Sequence, residues 1–125
     1  MLESECIIYV LDQCDTCRKA KNWLHQHQIP FRSIAIREHA PSIEELNRAL
    51  AGKNGKLQDL LNRSGHAYRE LEMKNKLKQL STEQVLELLS QNGNLVKRPL
   101  LVHPQATLIG FDPTLWQNRL LSSAT

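Results

Sequence analysis

Hydrophobic runs and helical periodicities alternate along the first third of the chain. Residues 6–11 are apolar and rich in β-branched side chains, which predicts a buried strand that ends at Asp12. From residue 17 to residue 28 the apolar side chains recur at three- and four-residue spacing, which is typical of an amphipathic helix. Residues 31–36 alternate and predict a second strand. The strand–helix–strand order indicates that the two strands pair in parallel.

The middle of the chain, residues 41–94, carries helical patterns and no strand pattern. Ser42 and Ser81 are each followed three residues later by Glu or Gln, which is the capping-box pattern of a helix N-terminus. The first of these helices should end near Gly52, a shorter helical segment should follow it, and the last helix should stop at Gly93.

Strand character returns after Arg98-Pro99, over residues 100–102 and again over residues 107–111, with a hairpin turn between them. Asp112-Pro113 places an N-cap residue before a proline, so a closing helix should follow. Four aromatic residues are expected to face the core: Trp23, Phe31, Phe111 and Trp116.

This order of elements is similar to the thioredoxin pattern and predicts an α/β fold. We expect a mixed sheet with a helical subdomain inserted between the second and third strands. The whole chain, residues 1–125, is predicted to be one domain. Residues 1–40 and 95–125 would form its thioredoxin-like core, and residues 41–94 the helical insertion.

Composition and charge narrow the classes of partner. With 41% hydrophobic and 23% charged residues, the 125-residue chain can bury a core without metals or multiple disulfides. The net charge of +3 and the scattered basic residues disfavour direct nucleic-acid binding. No stretch approaches the roughly 18 apolar residues of a membrane span. The N-terminus lacks a secretory signal pattern, so we expect a cytoplasmic protein with no membrane partner.

The chemistry is predicted to lie in the turn Cys14-Asp15-Thr16-Cys17. Cys14 falls at or just before the first helix, where free backbone N–H groups and the helix dipole stabilise a thiolate. A thiolate attacks disulfides and a second thiol resolves the mixed disulfide, so Cys14 would be the nucleophile and Cys17 its redox partner. Two alternatives are incidental buried thiols and half of a zinc site. Zinc needs about four ligands, and no second ligand pair follows.

Two further positions are candidates for the same site. In a thioredoxin-like fold the proline that enters the third strand is expected to be cis, and Pro99 is that proline here. The cis bond would bring the guanidinium of Arg98 near the thiolate. Arg98 would then be a catalytic and substrate-binding group, and Pro99 a second substrate-binding residue. The alternative is a strand-entry proline after a solvated arginine. Arg63 is a candidate for a second substrate-binding cation, with a plain surface arginine as its alternative. Cys6 is expected to be a core residue rather than a third redox group.

These residues together resemble the arsenate reductase-like family that includes the ArsC, Spx and YffB proteins. The resemblance covers nearly the whole chain, and it is more specific for the family than for any one activity. The segments that carry it are Tyr9, residues 14–20, Trp23-Leu24, residues 29–31, residues 60–63, residues 97–101 and Gly110-Phe111.

The resemblance implies three kinds of function. The arsenate reductases use one cysteine and three arginines. The cysteine would be Cys14 here, and one of the arginines would be Arg98. The other two arginine positions fall nearest Asn62, one residue before Arg63, and near Phe111, so arsenate reduction is disfavoured. The Spx-like regulators keep a C-x-x-C redox switch and bind the C-terminal domain of the RNA polymerase α subunit. The YffB-like members resemble glutathione-dependent thiol reductases.

The main prediction is a thiol–disulfide oxidoreductase that acts through a Cys14–Cys17 redox disulfide. No bound cofactor is expected; glutathione, a thioredoxin or a glutaredoxin would donate electrons. Its partners would be thiol or disulfide substrates, or glutathione. The first alternative is an Spx-like redox-sensing regulator that binds the RNA polymerase α subunit, and the second is an arsenate reductase.

Overall fold

The computed structural model describes residues 5–121. Its strands are β1 (Ile7–Val10), β2 (Arg32–Ala35), β3 (Leu100–His103) and β4 (Ala106–Ile109). Its α-helices are α1 (Asp15–Gln26), α2 (Ile43–Gly52), α3 (His66–Glu70), α4 (Met73–Lys76), α5 (Thr82–Gln91) and α6 (Pro113–Leu120). Two 3-10 helices cover Leu57–Leu60 and Gly93–Leu95.

The four strands form one mixed sheet in the order β2-β1-β3-β4. β1 pairs in parallel with β2, so that Ile8 lies opposite Ser33. On its other side β1 pairs antiparallel with β3, and Ile8 lies opposite Leu101. β3 and β4 form an antiparallel hairpin in which Leu101 faces Leu108. The predicted mixed α/β fold, with helices inserted between the second and third strands, is confirmed.

The chain divides into two compact units. The first comprises the described residues up to Ala35 and from Arg98 onward, and the second is Ile36–Lys97. Both boundaries lie a few residues outside those of the predicted insertion, residues 41–94. The second unit starts as early as Ile36 because this residue is buried and its carbonyl approaches Gly93 closely. That both units make up a single domain over residues 1–125 stays a prediction.

The first unit has its core between the sheet and helices α1 and α6. Ile8, Leu24, Leu101 and Trp116 are fully buried there. The rings of Trp23 and Trp116 meet edge to face at 5.6 Å, a favourable aromatic geometry. Of the four aromatic residues expected in the core, the two tryptophans are buried, and Phe31 and Phe111 pack against it while partly exposed.

The second unit is helical, and α2 packs against α5. Both predicted capping boxes form: the Ser42 hydroxyl accepts the N–H of Glu45 at 3.1 Å, and the Ser81 hydroxyl accepts that of Gln84 at 3.1 Å. Each cap pairs a backbone donor that the helix itself leaves free. The predicted starts of α2 and α5 are therefore confirmed.

Other parts of this unit differ from the sequence prediction. Helices α3 and α4 were not expected, and the predicted segment after Gly55 is only a one-turn 3-10 helix. Leu61 and Val96 also form an isolated antiparallel bridge in a region that shows no strand pattern.

Between residues 5 and 121, no helix combines the length and apolar character needed to cross a bilayer.

Candidate active site

Cys14 is the N-cap residue of α1. Its backbone is extended, with φ −102° and ψ 113°, and its carbonyl accepts the N–H of Arg18 at 3.0 Å. The chain reaches this position through Gln13, which adopts a left-handed conformation at φ 65°. The Cys14 sulfur accepts the N–H of Cys17 at 3.3 Å, so the sulfur itself caps the helix. A half-buried sulfur thus lies at the positive end of the helix dipole.

Cys17 lies within the first turn of α1, with only 1% of its surface exposed. Burial is the largest cause that raises the pKa of the Cys17 thiol to about 12. A hydrogen bond with the Cys14 sulfur and the charge of that sulfur act in the same direction. A backbone hydrogen bond from Leu11 and the positive charge of Arg98 oppose them. Cys17 is therefore a protonated thiol at neutral pH.

The Arg98–Pro99 peptide bond is cis, as expected from the sequence. Pro99 is buried and its carbonyl accepts the N–H of Gly110 at 2.8 Å, which ties the start of β3 to the end of β4. Arg98 is half-buried, and its charge lowers the pKa of Cys17. Arg98 therefore lies within electrostatic range of the thiol pair, and its catalytic role stays a prediction.

A groove of about 170 Å³ opens beside the two thiols, and its lining is Leu11, Asp12, Gln13, Cys14, Cys17, Arg18 and Lys21. The exposed side chain of Arg18 forms an ion pair with Asp15. Lys21 was not among the predicted site residues. Its spacing from Cys14 and Cys17, seven and four residues along one helix, is the sequence signal that places it on the same face.

Arg63 belongs to the second unit. Its exposed side chain lines a cavity of about 300 Å³ that also includes Asn62, Ser64 and Lys97. The backbone around this cavity is held by the Asn62 N–H, which donates to the Leu95 carbonyl at 2.9 Å. Arg63 therefore has polar and cationic neighbours, and its role toward a substrate of the thiols stays a prediction.

Cys6 is a core residue, as the sequence indicates. It is 5% exposed and directly precedes β1, where its carbonyl accepts the N–H of Arg32 at 2.9 Å. Burial raises the pKa of its thiol to about 11. Within residues 5–121, no group of three or more His, Cys, Asp or Glu side chains could hold a metal ion.

Fold and site together define an α/β protein of the thioredoxin-like kind, with its cysteine pair where the first strand passes into the first helix. More specifically, this chain belongs to the ArsC family, whose model matches residues 9–118. The family resemblance seen in the sequence is thereby confirmed.

Three similar proteins span most of this chain. YusI of Bacillus subtilis is 45% identical over 104 residues, which are 82% of this chain and 87% of YusI. The global transcriptional regulator Spx of Enterococcus faecalis is 30% identical over 105 residues, 84% of this chain and 78% of Spx. The crystal structure of an ArsC-family-related protein from Bacteroides fragilis is 34% identical with a TM-score of 0.80, covering 91% of this chain and 97% of its own.

Proposed function

We propose that this chain is a thiol–disulfide oxidoreductase in which Cys14 attacks a substrate disulfide and Cys17 resolves the product. The observation that carries the proposal is the asymmetry of the pair. The Cys14 sulfur is half-buried at the helix N-terminus and accepts the Cys17 N–H, whereas Cys17 is buried with a pKa raised to about 12. A nucleophile at a positive helix end beside a protonated resolving thiol is the arrangement that disulfide exchange requires.

In the first step the Cys14 thiolate forms a bond to one sulfur of the substrate. The substrate S–S bond breaks, and its second sulfur leaves as a thiolate that takes a proton from water. In the second step Cys17 loses its proton to water and attacks the Cys14 sulfur. The S–S bond between Cys14 and the substrate breaks, and the other half of the substrate leaves as a thiolate that takes a proton from water. Two electrons pass from the protein dithiol to the substrate, and a Cys14–Cys17 disulfide remains.

The first step prepares the second. Once Cys14 is part of a mixed disulfide, its sulfur carries no negative charge and is a weaker hydrogen-bond acceptor. Two of the causes that raise the pKa of Cys17 are then removed or weakened. The N–H of Leu11 and the charge of Arg98 continue to favour the Cys17 thiolate. Arg98 is thus assigned to the resolving step.

Reduction of the protein disulfide needs a two-electron thiol donor. Two glutathione molecules, or the dithiol of a thioredoxin or glutaredoxin, would be oxidised to a disulfide as Cys14 and Cys17 are reduced. Such donors are kept reduced in the cytoplasm, which is the predicted location.

The test is a trapping experiment with a glutathionylated peptide and no other thiol present. Reduced wild-type protein should release glutathione and end with an intramolecular Cys14–Cys17 disulfide. Cys17→Ser should stop at a mixed disulfide on Cys14, which intact mass and peptide mapping identify. Cys14→Ser should not react, and Cys6→Ala is the matched control that should behave like wild type. A main disulfide that contains Cys6 would overturn the assignment.

A redox-controlled transcriptional regulator is the second candidate. It is favoured by the 30% identity, over 84% of this chain, to a protein named global transcriptional regulator Spx. A disulfide between Cys14 and Cys17 would then bias a partner-binding surface between two arrangements instead of serving as a catalytic intermediate.

Calorimetry with the C-terminal domain of the RNA polymerase α subunit separates the two candidates. Micromolar or tighter binding that differs between reduced and oxidised protein would favour the regulator. Absence of binding in both states, together with repeated turnover of the glutathionylated peptide in the presence of a donor, would favour the oxidoreductase.

A further inference from the structure

The groove beside the thiols contains a lysine that the proposed reaction steps do not use. Lys21 lines it together with Cys14 and Cys17, and its side chain is half-buried. Because Lys21 comes four residues after Cys17 in α1, both side chains lie on the same face of the helix. Lys21 therefore lines the groove through which a substrate can approach the sulfurs.

The surrounding charges leave this ammonium group available. Arg18, the other cation of the lining, forms an ion pair with the carboxylate of Asp15. No carboxylate among residues 5–121 forms an ion pair with Lys21. Asp12 adds one negative charge to the lining. Lys21 is thus a cation in the groove whose charge a substrate can pair with directly.

We infer that Lys21 binds a carboxylate on the substrate and so selects disulfides that are anionic close to the reacting sulfur. This inference rests on the proposed function, because it concerns the disulfide that Cys14 attacks. The ion pair would offset the repulsion between the Cys14 thiolate and an anionic substrate. Lys21 takes no part in bond making or breaking, so it is a positioning residue.

The test compares three small disulfides that differ in charge: 3,3′-dithiodipropionate is anionic, bis(2-hydroxyethyl) disulfide is neutral and cystamine is cationic. Rate constants for oxidation of Cys14 in the reduced full chain are measured by acid quench and mass spectrometry. The readout is the ratio of the dithiodipropionate rate to the cystamine rate. Dividing a variant's ratio by the wild-type ratio cancels the intrinsic reactivity of the two compounds.

Lys21→Gln should lower this ratio about threefold to tenfold, the range expected for one charge near a protein surface. The loss should shrink at high salt, because mobile ions screen the interaction. Lys19→Gln is the matched control, since it removes the same charge from an exposed position of α1 outside the groove lining. It should change the ratio by less than about twofold.

Two outcomes count against the inference in different ways. If Lys21→Gln moves the ratio no further than Lys19→Gln while Cys14 still reacts, the selectivity role is wrong and the oxidoreductase proposal stands. If wild-type Cys14 reacts with none of the three disulfides, the proposed function fails and the inference fails with it. Circular dichroism and the Tm of each variant confirm that the compared proteins are folded.

Discussion

Three cysteines occupy three different environments in the first unit. Cys14 is half-buried at a helix N-terminus, while burial raises the pKa of Cys17 to about 12 and that of Cys6 to about 11. The C-x-x-C spacing and the position after a strand were sufficient to predict which cysteine caps the helix. The burial of Cys17 and the groove position of Lys21 depend on how α1 packs on the sheet, and the sequence pattern alone does not resolve that packing.

The buried Cys6 thiol makes stability depend on pH in the alkaline range. Its pKa is about 11 when folded and 9.0 as an ordinary thiol, so the unfolded chain releases its proton first as pH rises. The contribution to the free energy of unfolding is full below about pH 9. Between about pH 9 and about pH 11 this contribution of the Cys6 thiol decreases by up to about 1.4 kcal/mol per pH unit.

Urea denaturation of wild type and Cys6→Ala at pH 7, 8, 9 and 10 measures this loss. The difference in unfolding free energy between the two proteins should be constant at pH 7 and 8 and should shrink by pH 10. A difference that stays constant through pH 10 would show that the Cys6 thiol titrates normally in the folded state.

Phe111 argues against arsenate reduction. The resemblance calls for an arginine near this position, but the Phe111 ring packs edge-on against Trp116 with centroids 4.8 Å apart. With glutathione, glutaredoxin, glutathione reductase and NADPH present, we expect arsenate reduction, followed as NADPH oxidation, to be no faster than in a protein-free blank. An arsenate reductase carrying all three arginines serves as the positive control. Turnover that disappears in Cys14→Ser would contradict this prediction.

At the scale of elements, capped helices were predictable and uncapped ones were not. Helices α2, α5 and α6 have the N-cap residues Ser42, Ser81 and Asp112, whose side chains accept backbone N–H groups. Helices α3 and α4 span only five and four residues and have no side-chain cap. The residue before α4, Glu72, is left-handed at φ 53°, a conformation that a glutamate does not signal in sequence.

Gly93 is required by packing rather than by its backbone conformation. A Cβ atom there would fall far inside contact distance of the Ile36 carbonyl oxygen, which is backbone and cannot rotate away. Gly93→Ala should therefore lower the free energy of unfolding by about 3 kcal/mol, as overpacking does. Urea denaturation at pH 7 provides the measurement.

Gly55→Ala is the matched control for this substitution. Gly55 has φ 77° and open space around its Cα, so the added methyl group meets only the strain of a left-handed alanine, about 1 kcal/mol. Equal losses for the two variants would show that the segment holding Gly93 moves away from Ile36 at little cost.

At the scale of the whole molecule, the thiol site and helix α2, where we expect the partner-binding surface of a regulator, belong to different units. Both thiols and Arg98 belong to the first unit, whereas α2 and its exposed Arg48 belong to the second. Arg48 forms an exposed ion pair with Glu44 at 3.3 Å, of the kind that contributes little to stability. Its charge can therefore be reversed to probe partner binding with little effect on the fold.

Paired variants should then separate catalysis from partner binding. Arg98→Gln removes a charge that lowers the pKa of Cys17, so it should slow the resolving step about twofold to threefold, the effect expected of one partly solvated charge. Arg48→Glu should leave turnover of the glutathionylated peptide at the wild-type rate. Lys56→Glu, an exposed charge reversal elsewhere in the second unit, controls for net charge. Rapid-quench mass spectrometry gives the rates, and calorimetry with the polymerase α C-terminal domain gives any binding.

The oxidoreductase proposal requires that the wild-type protein turns over the glutathionylated peptide and does not bind the polymerase domain in either redox state. The assignment of Arg98 to the resolving step requires in addition that Arg98→Gln slows this turnover. The regulator candidate requires redox-dependent binding that Arg48→Glu abolishes and Lys56→Glu retains, while Cys14 and Cys17 still form their disulfide. Circular dichroism and the Tm of each variant show whether a lost activity is due to general unfolding. Binding that survives Arg48→Glu would show that a regulator uses a surface other than α2, and turnover unchanged in Arg98→Gln would remove Arg98 from the resolving step.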